Sequence, residues 1–332
     1  MLPKSSSAKP GIVPKGKIKL SSASSFAASF ALIGALVLIL KDPVNSLRSA
    51  KIALAVCSEK LLPTLFPAMA AVSLLSLAAP VRNFRFGEKL CRSLFALSGE
   101  CFAPIVLSLL CGFPLGAKSA VSLYKKGVID RAQAEYMAAF LDFASPAFVI
   151  GAVGAGLIGS SAVGLIMWLS QTFCALLFAI IFANRKGERK EAAHLDPVIA
   201  PRALSNVPEA IVSSFRSFLD ICAFVIFFSL LSSSLLSALP PLSDTAEALF
   251  RGFFEMSSGV FALGELSPKI AVPLCSFISS FSGLSVCFQV FSFLADEKIG
   301  MKKYLLSRLF CAPVSAILSL LLSRAFLPSL FA

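Results

Sequence analysis

Histidine and charged residues are scarce in this chain of 332 residues. It contains one histidine, His194, and charged residues make up 14% of it, whereas soluble domains carry about 25%. A single histidine in a polar stretch argues against catalysis by an imidazole base. The sequence has no phosphate-binding loop, no HExxH and no GxSxG motif, and its nine cysteines form no CxxC pair. We therefore expect no enzyme activity, no cofactor and no metal site.

Alternating strand patterns are also absent, and long apolar runs stand in their place. Hydrophobic residues make up 57% of the chain, and the mean hydropathy is +0.85. About 20 apolar residues in a helix cross the ~30 Å hydrocarbon layer, and helices satisfy their own backbone groups in lipid. The sequence predicts an all-α, multi-pass protein of the bacterial cell membrane, with about seven or eight membrane-embedded elements.

The net charge of +12 does not indicate a nucleic-acid partner. The basic residues lie between the apolar runs, where the positive-inside rule places them in membrane proteins. The partner expected from this pattern is the lipid bilayer.

Four regions are predicted along the chain. Residues 1–24 are rich in Ser and Lys and contain no acidic residue, which is typical of a disordered cytoplasmic tail. Residues 25–184 form a first membrane half, residues 185–205 a polar cytoplasmic linker, and residues 206–332 a second membrane half. An interfacial helix is predicted at 43–60. The predicted spans are Phe26–Leu40, Leu61–Pro80, Leu141–Gly159, Ala162–Asn184, Asp220–Leu239 and Leu305–Leu327.

Each half contains a pair of short apolar arms around a break. In the first half the arms flank residues 111–118, which combine Gly and Pro, and in the second they flank residues 279–283, which combine Ser and Gly. Such breaks are tolerated at membrane depth only where protein or a cavity surrounds them. The order of elements predicts two inverted repeats, each with a re-entrant or broken helix hairpin, as in many secondary transporters.

The predicted substrate site gathers around these breaks, because half-helix N-termini can hold an anionic group there. Neutral hydrogen-bonding side chains cluster at the second break, although a buried Ser often bonds only its own helix. The candidate substrate-binding residues are Gly112, Pro114, Gly116, Lys118, Asp142, Ser145, Ser280, Ser282, Ser285 and Gln289.

Two of these candidates carry charge and keep two interpretations each. Lys118 is an anion ligand if it lies at membrane depth, or it extends to the interface or pairs with Asp142. Asp142 binds a coupling cation such as Na⁺ or H⁺, or it is a helix-end carboxylate in water. The residues alone leave both alternatives open.

Three segments resemble a known family. The stretch Cys111–Lys118 (CGFPLGAK), the run Ser145–Gly151 (SPAFVIG) and the segment Phe281–Val290 (FSGLSVCFQV) resemble the sporulation integral membrane protein YlbJ family. That family carries the nucleoside-recognition Gate domain, shared in outline with concentrative nucleoside transporters. The resemblance covers about residues 43–330, and the chain departs from it at Asp142-Phe143, where the family often has Asn-type residues.

The resemblance implies a transporter or facilitator needed for endospore formation, in the mother-cell or outer forespore membrane. It implies dipicolinate, a planar dicarboxylate, as the small anionic substrate. The alternatives are a nucleoside transporter and a membrane scaffold or sensor in spore-envelope assembly that transports nothing. A second copy of the chain and other sporulation membrane proteins are the expected protein partners.

Overall fold

The computed structural model describes residues 33–78, 85–183 and 207–331. The tail predicted at 1–24 and the linker predicted at 185–205 lie outside the described residues. Of the span predicted at Phe26–Leu40, residues 33–40 are described, and they are helical. Within the described ranges all regular secondary structure is helical. This agrees with the predicted all-α class.

Within residues 43–78 and 85–183 the structure describes eight main helices, besides the shorter π- and 3₁₀-helical segments Val56–Leu61, Cys91–Phe95 and Gly99–Cys101. The main helices are α1 Pro43–Ala55, α2 Leu62–Ala78, α3 Arg85–Leu90, α4 Phe102–Cys111, α5 Leu115–Lys125, α6 Arg131–Leu141, the π-helical α7 Ala147–Ile158, and α8 Ser161–Phe182. A π-helical turn, Val56–Leu61, joins α1 to α2. Asp130 begins α6 with a capping box, in which its carboxylate accepts from the Gln133 N–H and the Gln133 side chain accepts from the Asp130 N–H.

The second half contains six helices among the residues described there. They are α9 Val207–Leu236, α10 Asp244–Phe254, α11 Met256–Phe261, α12 Pro268–Phe281, α13 Gly283–Asp296 and α14 Lys302–Phe326. Ser243 begins α10 by accepting from the Ala246 N–H, and Glu255 begins α11 in the same way.

Five helical segments in the described residues are long and apolar enough to cross a membrane. They are Pro43–Ala71, Ser161–Phe182, Val207–Leu236, Pro268–Asp296 and Lys302–Phe326. A sixth is reached if Phe86–Phe95 and Gly99–Cys111, which are bent by 102°, form one broken span. The multi-pass membrane class is therefore supported, and the seven or eight predicted elements include arms too short to span alone.

Two predicted segments differ from the structure. The separate interfacial helix expected at 43–60 is instead continuous through the π-helical turn with α2. The single span expected at Leu141–Gly159 is interrupted, because residues 142–145 are not helical and α7 has only 12 residues. The Ser145-Pro146 step explains this interruption, since the residue before a proline is disfavoured in the α conformation.

The two halves repeat one order of elements. Each has a long helix, two helix–break–helix elements and a second long helix. The breaks are residues 112–114 (break 1), residues 142–145 (break 2), Glu255 (break 3) and Ser282 (break 4). In this order break 2 and break 4 are each the second break of their half, whereas the sequence pattern pairs break 4 with break 1.

Candidate functional site

The four breaks contact one another in two pairs, break 1 with break 2 and break 3 with break 4. In the first pair, the backbone of break 1 packs directly on the backbone of break 2. The Phe113 N–H donates to the Phe143 carbonyl at 3.0 Å. Gly112 has φ +70° and ψ −159°, a region that only glycine adopts readily. A Cβ at Gly112 would lie 2.6 Å from the Phe143 carbonyl oxygen and 2.6 Å from the Ser145 nitrogen. The glycine therefore permits both the turn and the contact.

Break 4 lies on break 3 in a similar way. Gly283 has φ +72°, and a Cβ there would lie 2.8 Å from the Gly252 carbonyl oxygen and 3.2 Å from the Met256 nitrogen. Ser282 just before it has φ +72° as well. The backbones of α10, α11 and α13 consequently meet without side chains between them.

The stabilities of two glycine variants test whether break 1 packs closely against break 2. Gly127 also has φ +70° but has open space around its would-be Cβ. We expect Gly112→Ala to lower the unfolding free energy more than Gly127→Ala does, by about 1–3 kcal/mol for the overpacked contact. Thermal unfolding of the purified protein in detergent measures this difference. Equal losses for the two variants would contradict the close contact between the breaks.

A narrow cavity opens where the two pairs of breaks face each other. Its volume is about 20 Å³, which is room for roughly one water molecule. Residues next to all four breaks line it, together with apolar side chains around α2 and α9. The lining residues are Leu61, Leu65, Met69, Cys111, Phe113, Ser145, Phe148, Ile221, Val225, Glu255, Met256, Ser257, Ser285, Val286 and Gln289. Among them, Phe113 contacts both hydrophobic clusters of the core.

Two polar groups in the cavity wall lack a partner inside the protein. Ser285 Oγ and Gln289 Oε1 are buried, and neither atom has a hydrogen-bond partner among the described residues. The two residues are 1% and 4% exposed. They lie four residues apart on α13 and so share one helix face. Buried polar atoms are nearly always bonded in proteins. Both atoms are therefore able to bond a water molecule or a polar ligand in the cavity.

Glu255 is the only carboxylate among the cavity-lining residues. It is 2% exposed and caps α11, since its Oε1 accepts from the Ser257 N–H at 2.9 Å and its Oε2 accepts from the Ser258 N–H at 2.6 Å. The Ser257 hydroxyl lies 2.8 Å from each carboxylate oxygen. No lysine, arginine or histidine is among the residues that line the cavity. The lining is thus mostly apolar, with a few neutral polar groups and, among the described residues, this one carboxylate.

A second polar cluster lies beside the cavity and joins breaks 2 and 4. We call it the arginine cluster, and it consists of Asp142, Ser282, Tyr304, Ser307 and Arg308. The Tyr304 hydroxyl donates to Asp142 Oδ2 at 2.8 Å, and Arg308 donates to the Asp142 backbone carbonyl. Asp142 is fully buried, and its Oδ1 has no hydrogen-bond partner.

The hydrogen bond from Tyr304 to the Asp142 carboxylate can be compared with a tyrosine hydrogen bond to an uncharged acceptor. We expect Tyr304→Phe to lower the unfolding free energy by about 1–3 kcal/mol, because a buried carboxylate loses a donor. The control is Tyr136→Phe, which removes a bond from the Tyr136 hydroxyl to the Ala179 carbonyl at 2.7 Å. Urea or thermal unfolding should show the larger loss for Tyr304→Phe. A larger loss for the control would contradict a charged acceptor at Asp142.

The predicted site residues fall into three groups. Ser145, Ser285 and Gln289 line the cavity. Gly112, Pro114, Gly116, Asp142, Ser280 and Ser282 belong to the breaks or the helices beside them. Lys118 lies on α5 with an exposed side chain and does not line the cavity, so its role as a ligand stays a prediction.

The expected pairing of Lys118 with Asp142 and the expected exposure of Asp142 to water are both corrected by the structure. Asp142 lies in the protein interior, and its partners are Tyr304 and Arg308, 162 and 166 residues further along the chain. A helix-end carboxylate becomes buried here because α14 packs over the end of α6.

Sequence reasoning missed the charged residues nearest the site. Glu255 was visible only as one of several acids between α9 and α12. Arg308 had a clear signal, since it lies in the apolar run predicted as the last span, and a charge there is costly and usually functional. A Cβ at Gly116 would lie 2.6 Å from the Leu141 carbonyl oxygen, so this glycine permits close packing of α5 on α6, while its part in substrate binding stays a prediction.

Comparison with known proteins gives one informative similarity. The chain is 26% identical over 324 residues to the sporulation integral membrane protein YlbJ of Bacillus subtilis (strain 168), a match that covers 86% of this chain and 79% of that protein. No protein-family model matches the chain. No solved structure matches it either. The similarity supports the resemblance seen in the three motifs and a membrane role in sporulation.

Proposed function

We propose that this protein is a YlbJ-type secondary transporter or facilitator of a small metabolite across a membrane during endospore formation. The observation that carries the proposal is the cavity on which four helix breaks converge, with the unpartnered Ser285 Oγ and Gln289 Oε1 in its wall. Structural proteins bury few unsatisfied polar groups. In secondary transporters, substrate sites lie between repeats and are formed by discontinuous helices.

The proposal includes the Gate-type architecture. The repeated order of elements supports two repeats, with breaks 1 and 2 in one and breaks 3 and 4 in the other, and we propose that the two repeats have opposite orientations. A cavity of about 20 Å³ is too small for a metabolite, so binding of one requires the elements around it to move apart. Transport then requires the two pairs of breaks to separate around the site, in the manner of alternating access.

The proposed substrate is a small carboxylate, with dipicolinate as the leading compound. The neutral groups able to donate to a carboxylate are the Ser145 and Ser285 hydroxyls and the amide N–H groups of Gln289, whereas the Ser257 hydroxyl is bonded to Glu255 and Gln289 Oε1 can only accept. A dianion next to an ionised Glu255 would be repelled strongly in a water-excluding site. We therefore propose that Glu255 is protonated when the carboxylate binds, which makes H⁺ the coupling ion.

A nucleoside is the second candidate, because the absence of basic side chains from the cavity lining suits a neutral polar solute. Glu255 and Gln289 would then bond hydroxyl or amide groups of the ligand. A scaffold or sensor without transport remains the third reading, and it predicts that changes in the cavity alter only stability. Candidate protein partners are a second copy of the chain and other sporulation membrane proteins, in the mother-cell or outer forespore membrane.

The test is flux into proteoliposomes that contain the purified full-length protein. We expect saturable uptake of dipicolinate that uridine does not compete for. Saturable uridine uptake instead would favour the nucleoside reading. No uptake of either compound by well-folded protein would contradict a self-sufficient transporter for them. Lys118→Ala belongs in the same assay, because it tests the ligand role predicted for this exposed residue: lost uptake would support that role, and unchanged uptake would contradict it.

A further inference from the structure

Arg308 is a buried charge within a membrane span. It is 2% exposed and lies in α14, inside the span Lys302–Phe326. A guanidinium at such a position is costly unless every donor is satisfied. Its partners therefore explain why the chain tolerates it.

The acceptors are mainly backbone carbonyls at the ends of two broken helices. Nη2 donates to the Ala139 carbonyl at 2.9 Å, and Nη1 donates to the Asp142 carbonyl and, at 3.2 Å, to the Ser280 carbonyl. α6 ends at Leu141 and α12 ends at Phe281. The last carbonyls of a helix lack helical partners and form the negative end of its dipole. One side chain thus caps both helices where they break.

The remaining N–H groups of Arg308 donate to hydroxyls, so every donor of the guanidinium has an acceptor. Ser307 Oγ accepts from Nε at 3.2 Å and from Nη2 at 3.1 Å, and Ser282 Oγ lies 3.4 Å from Nη1. Arg308 does not line the cavity. In this conformation it is accordingly a positioning residue and not a ligand of the substrate.

Carbonyls at half-helix C-terminal ends are the groups that coordinate the coupling Na⁺ or H⁺ in transporters with broken helices. We propose that Arg308 is a tethered cation that takes the place of a mobile Na⁺ between breaks 2 and 4, so that transport by this protein is independent of Na⁺. The single negative charge of Asp142 beside it balances the guanidinium, and the local charge needs no additional ion. The inference rests on the proposed transport function and specifies its coupling.

The test combines unfolding and flux for the full-length protein, each in NaCl, KCl and choline chloride of equal ionic strength. We expect wild type to show the same melting temperature and the same dipicolinate uptake in all three salts. Arg308→Met should melt lower than wild type, and NaCl should raise its melting temperature over choline chloride by about 2 °C or more, because the freed carbonyls accept Na⁺. Arg216→Met, which removes an exposed arginine of α9, is the control and should show no preference among the salts.

Two outcomes would overturn the inference. One is wild-type protein that is stabilised by Na⁺ or takes up dipicolinate only with Na⁺. The other is an Arg308→Met protein that is as stable as wild type or indifferent to Na⁺. If Arg308→Met does not fold, the wild-type salt comparison and Arg308→Lys decide, since the lysine keeps the charge and should restore folding without Na⁺ dependence. A lack of uptake by wild type in every salt would contradict the proposed function, while the unfolding measurements would still test the tethered cation.

Discussion

Ser285→Ala should lower dipicolinate uptake while leaving the protein as stable as wild type or more stable. Ser285 Oγ is buried without a partner, and its removal relieves the cost of an unsatisfied hydroxyl, about 1–3 kcal/mol. A bound substrate, in contrast, loses a hydrogen bond worth about 0.5–1.5 kcal/mol. We expect the substrate concentration at half-maximal uptake to rise about 2- to 10-fold, which concentration-dependent flux measures.

The opposite signs of these two effects identify a binding residue. A residue that only supports the fold would lose stability and uptake together. Ser292→Ala is the matched control, because Ser292 is on the same helix, is exposed and bonds only the Gln289 carbonyl at 2.7 Å. Gln289→Leu should repeat the result of Ser285→Ala. Unchanged uptake in both cavity variants would remove the unpartnered polar pair from the substrate site.

Glu255→Gln should make dipicolinate uptake independent of pH. In wild type an ionised Glu255 opposes the entry of a carboxylate, and protonation relieves the repulsion, so uptake should rise as the pH falls. Glutamine is neutral at every pH, and the uptake by this variant should stay near the low-pH level of wild type. The difference at high pH should be about 10-fold or more, since a charge pair at 4 Å and an effective dielectric constant of 20 is worth about 4 kcal/mol.

The same substitution weakens the cap of α11, and the controls separate the two effects. Glu255→Asp keeps the charge with a shorter side chain, so uptake should retain its pH dependence. Glu265→Gln removes an exposed acid 10 residues further along the chain and should leave both uptake and its pH dependence unchanged. Loss of the cap alone costs about 0.5–2 kcal/mol of stability, which unfolding in detergent measures. Uptake by Glu255→Gln that still rises as the pH falls would show that another group carries the proton.

The sequence predicted the membrane class and the location of breaks 1 and 4, for reasons that are local. Gly112 and Pro114 interrupt hydrogen bonding within a few residues of themselves, and Gly283 permits a positive φ. The interruption at break 2 was also signalled locally by Pro146, yet the apolar composition of residues 147–158 led to a continuous span. Break 3 had no comparable signal, because Glu255 resembles any surface acid when only its neighbours in the chain are considered.

The candidate site was predictable only in part. Ser285 and Gln289 were expected near the second predicted break and follow break 4 by three and seven residues, and Ser145 lies within break 2. Lys118 also follows a break, break 1, by a few residues. It is nevertheless exposed, because the helix face on which it lies turns away from the cavity. Spacing along the chain places a residue on a helix, and the packing of that helix decides which face meets the site.

Composition and local chemistry therefore determined, without the structure, that this is an all-α membrane protein whose helices are interrupted by glycine, proline and serine. Tertiary structure alone decided that four breaks meet at one cavity, that Glu255 supplies its carboxylate and that Arg308 lies between breaks 2 and 4. The physical reason is the separation along the chain between the residues that interact. Helix formation and interruption depend on residues within about one turn, whereas the contact of Arg308 with Asp142 joins positions 166 residues apart, and only the packing of whole helices brings them together.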